Sequence, residues 1–306
     1  MSWLGFTWVA ALFGALAAVP YFVALTGSSG AMILAFLTQL PLFAVGLWLG
    51  VGAVALAGAV AALILFFGGS LLTATVFIAV NAIPVLVLVR QSLLARSGPE
   101  GAVEWYPPGP LTGWLTGFGL ATTAAALLLF GGPRDTHEIL RHALAPALDG
   151  RFAEHAVELE GLLAYLAFIL PGMIGGSWMV MTATNGSLAQ GVVARFGANW
   201  RPSPDLAALD LPMWIPMLFA GSAAVTFLGG ISRFFGINVM IVLAVPFCLA
   251  GLAVLHAVAR RFSRPALPLV VFYVLAGVFG WPLLLIVVLG MLESPLRLRR
   301  RLAQPS

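Results

Sequence analysis

Residues Val51–Phe67 read VGAVALAGAVAALILFF, an apolar run without a charged side chain. A helix needs about 20 mainly apolar residues to cross the hydrocarbon core of a bilayer. The rest of the chain has the same character, since 61% of its 306 residues are hydrophobic and 8% are charged. A water-soluble fold could not cover so much apolar surface. The sequence therefore predicts an all-α, polytopic membrane protein.

The apolar segments predict a single integral membrane domain over residues 1–306, with about eight spans and a range of roughly seven to ten. Pro282 follows Gly280 and Trp281 within the last segment. Because proline removes a helical hydrogen bond and clashes with the preceding turn, we expect a broken helical hairpin there. The candidate spans are Phe6–Thr26, Ala31–Leu49, Val51–Phe67, Leu71–Val89, Gly113–Gly131, Leu162–Val192, Pro212–Gly229, Ile237–Val258 and Ala266–Leu292.

The arginines predict the orientation, because cytoplasmic loops are enriched in positive side chains. Arginines flank the loops near residues 90–96, 195–201 and 260–264 and fill the tail, whereas residues 133–160 are mainly acidic. This predicts a bacterial inner-membrane protein with both termini in the cytoplasm. Residues 133–160 are expected to form an amphipathic outer-face loop, with a helix that begins at a capping box of Asp135 and Glu138 and ends near Asp149-Gly150.

Polar side chains interrupt several predicted spans, and such residues are costly at membrane depth unless they have partners. Asn81 stands three residues before Pro84, and Asn238 opens the eighth span. The sixth span carries the densest group, which begins at Thr182, eleven residues after Pro171, a proline that predicts a kink. Two interpretations remain open, a polar ligand cavity and ordinary hydrogen bonding between helices. The candidate ligand-binding residues are Asn81, Thr182, Thr184, Asn185, Gln190 and Asn238.

Small residues on the first span are spaced for close helix contact. Ala11, Gly14, Ala15 and Ala18 lie three or four residues apart. They predict either packing within the chain or a docking face for another membrane subunit.

Several classes of chemistry are excluded or disfavoured by the sequence. All 15 basic residues are arginine, which excludes the P-loop lysine and Schiff-base lysine chemistry. The predicted spans have no acidic residue away from their ends, which disfavours proton relays and paired-aspartate proteolysis. We expect no enzyme activity, cofactor, metal site or nucleic-acid partner. His137, His142 and His155 leave a lipid-modifying enzyme as a minor alternative.

Short motifs occur across the chain. They are Asn185–Gln190 (NGSLAQ), Arg195–Gly197 (RFG), Arg201–Pro204 (RPSP) and Leu211–Trp214 (LPMW), with similar short matches at Trp105–Gly109, Gly251–Val254 and Leu289–Glu293. These motifs resemble the YybS-like family of uncharacterised bacterial membrane proteins, which is similar in fold to the substrate-binding S components of energy-coupling-factor transporters. The resemblance implies about six helices around a small molecule, with Ala11, Gly14, Ala15 and Ala18 as the positions that dock a membrane coupling subunit.

The leading hypothesis is an S-component-like protein that binds or transports a small, mainly neutral molecule. Its energy would come from a membrane coupling subunit and an ATPase, because the chain contains no ATP-binding motif. The alternative is a membrane scaffold or envelope-assembly factor without a transported ligand. In that case the polar side chains form hydrogen bonds with one another.

Overall fold

The structure is a computed structural model that describes residues 2–24, 29–98, 101–148, 156–205 and 208–303. These residues are almost entirely helical, and the described strands are two short ones that pair antiparallel with Ala95 opposite Trp105. The all-α prediction is confirmed. The helices are α1 (Trp3–Ala24), α2 (Ser29–Ala35), α3 (Leu40–Leu49), α4 (Val51–Gly68), α5 (Leu71–Phe77), a π-helical turn (Ile78–Ala82), α6 (Ile83–Ser92), α7 (Pro108–Phe130), α8 (Pro133–Leu148), α9 (Ala156–Arg195), α10 (Trp214–Thr226), α11 (Gly230–Ala259), α12 (Ala266–Phe279), α13 (Pro282–Leu296) and α14 (Leu298–Ala303), and the strands are β1 (Ala95–Ser97) and β2 (Val103–Trp105).

Fewer helices can cross a membrane than the apolar segments predicted. Within the described residues, six are long and apolar enough, or up to seven if the bent pair α12–α13 is one span. The predicted spans Ala31–Leu49 and Pro212–Gly229 are shorter helical segments instead. Residues 36–39 divide the first, and the second is helical over 13 residues only. Gly229, which has a positive φ, lies between that helix and α11, and Gly230, the first residue of α11, also has a positive φ.

The predicted break in the last apolar segment is confirmed. The chain bends by 120° between α12 and α13. Gly280 adopts φ +70°, a backbone conformation that favours glycine, and Pro282 begins α13. Which side of the membrane the tail faces stays a prediction.

The predicted amphipathic helix is α8, although its capping differs from the prediction. The helix begins at Pro133, so Asp135 lies in its first turn and is not the N-cap residue. Its Oδ2 reaches back to accept a hydrogen bond from Gly132 N at 2.9 Å, which satisfies a helix-start N–H. Asp149-Gly150, the predicted helix end, lies outside the described residues.

The chain divides into two compact units. The first comprises Met1–Leu115 and Val180–Ala208, and the second Thr116–Met179 and Leu209–Ser306. In the first, α1 packs on α4. In the second, α11 packs on α10 and α13 around buried Ile215, Leu243 and Phe247.

Candidate functional site: a buried polar cluster in the first unit

The turn at residues 36–39 separates α2 from α3 and places polar groups in the middle of an apolar segment. Backbone bonds of the i to i+3 type close this turn, including Leu40 N to Leu37 O at 3.1 Å. Pro41 follows at the start of α3, where its missing N–H is tolerated. Thr38 and Gln39 are buried, with exposures of 1% and 0%. The break therefore brings two polar side chains and turn carbonyls into the interior of the unit.

Asn185 of α9 binds this turn. Its Nδ2 donates to Phe36 O at 2.6 Å and to Met181 O, one turn earlier in α9, at 2.8 Å. Both N–H groups of the amide are thus used. Its Oδ1 is buried and has no hydrogen-bond partner among the described residues.

Asn81 approaches the same turn from the π-helical turn Ile78–Ala82. Its Oδ1 accepts a hydrogen bond from Gln39 Nε2 at 3.2 Å. Pro84, just beyond this turn, has no N–H for the helical ladder. Single π turns within α-helices are frequent at functional sites. Two irregular helix segments therefore meet at Gln39 and Asn81.

Four buried oxygen atoms of the first unit have no hydrogen-bond partner within the described part of the chain. They belong to the 36–39 turn and to α9, where Thr182 and Asn185 are three residues apart and share one helix face. All four side chains are at most 1% exposed. We call these residues together with Asn81 the polar cluster. The four atoms are Thr38 Oγ1, Gln39 Oε1, Thr182 Oγ1 and Asn185 Oδ1.

Two predicted ligand residues of the first unit lie elsewhere. Thr184 is exposed, because two residues along a helix turn a side chain about 200° away from Thr182. Gln190 is buried, but its Nε2 donates to Arg201 O at 3.0 Å. This bond fixes the segment between α9 and α10, which we call the connector. Of the predicted set, Asn81, Thr182 and Asn185 belong to the polar cluster.

Asn238 belongs to the second unit and joins α11 to α9. Its Oδ1 accepts from Gly172 N at 2.6 Å, and its Nδ2 donates to Phe168 O at 2.9 Å and Phe234 O at 2.8 Å. In a regular α-helix, the N–H of Gly172 would donate to the carbonyl of Phe168, four residues earlier. A Cβ at Gly172 would lie 2.7 Å from Asn238 O, so glycine permits this approach. The amide thus bonds to both ends of the helical turn that contains Pro171.

Replacement of Asn238 by leucine is expected to lower the free energy of unfolding by about 1–2 kcal/mol, because buried backbone groups of α9 lose their partner. Reversible unfolding in mixed detergent micelles measures the loss. An unchanged unfolding free energy would contradict the assigned role.

Arg201 organises the connector between α9 and α10. It is 5% exposed, and burial lowers the pKa of its guanidinium from the ordinary value. Its Nη1 donates to Ser92 O at 2.9 Å and its Nη2 to Tyr106 O at 2.9 Å. One guanidinium therefore ties the end of α6 and the segment after β2 to the connector.

We expect Arg201→Lys to lower the free energy of unfolding by about 2 kcal/mol, since an ammonium group cannot reproduce the planar fork between two carbonyls. Denaturant titration measures this loss. Arg195→Lys, at an exposed position near the end of α9, is the matched control. Equal effects of the two substitutions would argue against the bridge.

Two of the four small residues of α1 are buried, and Gly14 contacts α4. Gly14 and Ala18 are buried, and a Cβ at Gly14 would overlap Ala57 O of α4. Ala11 and Ala15 are half-buried. The buried positions serve packing within the chain, so a partner helix would have to meet α1 at its exposed side. A docking role stays a prediction.

Two side chains of the histidine-rich segment contact Glu160. His137 Nε2 lies 3.1 Å from Glu160 Oε2, and Arg141 Nε lies 3.2 Å from Glu160 Oε1. His142 is exposed, and His155 lies outside the described residues. No group of three His, Cys, Asp or Glu side chains suited to a metal ion occurs in the described ranges.

Thr38, Gln39 and Arg299 are structurally important residues that are not among the predicted site residues. Thr38 and Gln39 are adjacent polar residues within the predicted span Ala31–Leu49, and this pair could have indicated the break.

Arg299, which the sequence placed in a charged tail, is buried, and its Nε donates to Glu293 Oε1 at 2.8 Å. Its Nη2 also donates to Leu209 O at 2.6 Å. This ion pair fixes the chain after α13 to the segment before α10.

Comparison with known families supports the membrane assignment. Residues 152–293, a little under half of the chain, match the model of a family described as "Predicted membrane protein (DUF2232)". The matched range contains Thr182, Asn185, Arg201, Asn238 and Glu293. No curated protein and no solved structure matches the chain. The chain is thus a multi-pass integral membrane protein.

Proposed function

We propose that this chain is an S-component-like protein that binds a small molecule within the membrane and moves it with energy from a partner. The observation that carries the proposal is the polar cluster, where four buried oxygen atoms lack partners within the described residues. Gln39 and Asn81 both lie near the middle of apolar segments, which favours a site at membrane depth.

The energetic cost of the polar cluster favours a binding role. Each buried polar atom without a hydrogen bond costs about 1–3 kcal/mol. Thr182 and Thr38 could be replaced by valine at similar volume, which would remove two of these costs. Polar residues that are retained at membrane depth commonly mark a site for a substrate or an ion. Transporters also place such sites at interrupted helices, as at the 36–39 turn.

The partner in this proposal is a membrane coupling subunit with an associated ATPase. Helix α1 offers an exposed apolar side that includes Leu12, Leu16 and Val19. The YybS-like and S-component resemblance supports this arrangement, as does the absence of an ATP-binding motif from the sequence. We place the protein in the bacterial inner membrane with both termini in the cytoplasm, a topology that reporter fusions to the termini test.

A membrane scaffold is the second candidate, and Asn238 and Gln190 favour it. Both amides bond within the chain, Asn238 to α9 and Gln190 to the connector carbonyl of Arg201. They show that intramembrane polar residues of this chain also serve to hold segments together. In a scaffold, the polar cluster would have the same purpose.

Native mass spectrometry of the full chain, extracted gently from its own membranes, separates the two candidates. We expect a bound small molecule and a co-purifying ATPase-linked membrane subunit. The Thr182→Val variant should lose the small molecule, and Thr184→Val, exposed on the same helix, should retain it. A chain that carries neither ligand nor such a partner would favour the scaffold.

A further inference from the structure

We propose that the polar cluster binds a monovalent cation of the Na⁺ type. The inference rests on the proposed function, because it names the class of ligand for the same site. Its basis is the kind of atom that is left without a partner. All four are uncharged oxygens, two from amides and two from hydroxyls.

A hydrogen bond of the polar cluster places the Asn185 amide at the 36–39 turn. Asn185 Nδ2 lies 2.6 Å from Phe36 O. Because the oxygen and nitrogen of an amide share one carbon, Asn185 Oδ1 also lies at this turn. Gln39 and Thr38 are part of the turn itself. Thr182 is adjacent to Asn185 on the buried face of α9.

The atoms of the polar cluster that have no hydrogen-bond partner are of the kind that bind a cation. Both N–H groups of Asn185 and one of Gln39 already donate to protein oxygens. What remains is mainly lone pairs, which disfavours an anion. Hard cations prefer oxygen ligands, and Ca²⁺ and Mg²⁺ sites commonly include carboxylates, which the polar cluster lacks. Uncharged carbonyl and hydroxyl oxygens therefore fit a monovalent ion.

The enclosure of the four oxygen atoms suits a small ion. Thr38, Gln39, Thr182 and Asn185 are at most 1% exposed. Membrane transporters commonly bind Na⁺ where a helix is interrupted, and the 36–39 turn interrupts the apolar segment between α2 and α3. An ion bound there would stabilise the α2–α3 break and its contact with α9.

Thermal unfolding of the full chain in lipid nanodiscs tests the proposal, with sodium, potassium or choline chloride at equal ionic strength. We expect sodium to raise the Tm by about 3 °C or more over choline, because a ligand that binds only the folded state stabilises it. The response should disappear in Thr182→Val and persist in Thr184→Val. A potassium response larger than the sodium response would overturn the assignment to Na⁺.

Two further results would overturn the proposal. One is a wild-type Tm that is equal in all three salts. The other is a sodium response that is unchanged in Thr182→Val. A wild-type Tm that is equal in all salts, together with a Tm that Thr182→Val raises in every salt, would indicate that the polar cluster holds water only. If Thr182→Val does not fold, Thr38→Val and direct binding of radioactive sodium to the wild-type chain decide the question.

The mass-spectrometric experiment separates failure of this inference from failure of the proposed function. An organic ligand that depends on Thr182, together with no sodium effect, would reject the cation and retain the small-molecule site. Absence of both would reject both proposals.

Discussion

Replacement of Arg299 by methionine is expected to lower the free energy of unfolding by about 3–5 kcal/mol, because it leaves Glu293 buried without its cation. The two charges are 2.8 Å apart, and their side chains are both 7% exposed. Arg299 Nη2 also lies 3.3 Å from Asp210 Oδ1, and its backbone N donates to Glu293 Oε2 at 3.3 Å. Reversible unfolding of the full chain in mixed micelles gives the measurement.

Two companion variants identify the buried charge as the cause of this loss. Arg301→Met removes an exposed arginine from the same helix and should leave the free energy of unfolding nearly unchanged. The double variant Glu293→Leu with Arg299→Met should recover most of the loss, since apolar pairs often replace buried ion pairs at little cost. A double variant as unstable as Arg299→Met alone would attribute the loss to packing.

Alanine at Gly251 or Gly290 is expected to cost about 3 kcal/mol, because each glycine faces backbone of the other helix where α11 crosses α13. A Cβ at Gly251 would overlap Ile286 O, and one at Gly290 would overlap Phe247 O. Backbone carbonyls cannot rotate away as side chains do, so the two helices would have to separate. The fraction of monodisperse protein after purification and the unfolding free energy both report this separation.

Gly277→Ala is the matched control for these two substitutions. Gly277 lies in α12, where a Cβ would meet nothing within 4 Å. Because alanine favours a helix by about 1 kcal/mol over glycine, this variant should be as stable as the wild type or more stable. Loss of stability in all three variants would mean that glycine is needed for a reason other than helix contact.

Hydropathy predicted the helical class and the positions of the long spans, because lipid exposure requires continuous apolar runs. The break at Gly280-Trp281-Pro282 could also be predicted, since it depends on local backbone chemistry. The break at residues 36–39 has no glycine, and its local signal is the adjacent polar pair Thr38 and Gln39. Its contact with Asn185, which donates to Phe36 O, joins residues that are distant in sequence and could not be predicted from it.

The candidate site was predicted in part. The interruption of apolar runs by polar residues identified Asn81, Thr182 and Asn185. Residue type alone, however, could not distinguish an amide whose hydrogen bonds are all made from one with an atom that has no partner. Helical periodicity could have excluded Thr184, which is two residues from Thr182. The roles of Asn238 and Arg201 depend on contacts between distant parts of the sequence, and the sequence pattern does not contain them.

The π-helical turn at Ile78–Ala82 has a consequence for how this protein is related to others by descent. Such a turn contains one residue more than an α-helical turn, so it is equivalent to a single inserted residue in a straight helix. A relative without the insertion would be one residue shorter here, and its side chain at the position of Asn81 would point about 100° away. An alignment gap of one residue in this helix would therefore distinguish relatives that retain the Gln39–Asn81 contact from those that have lost it.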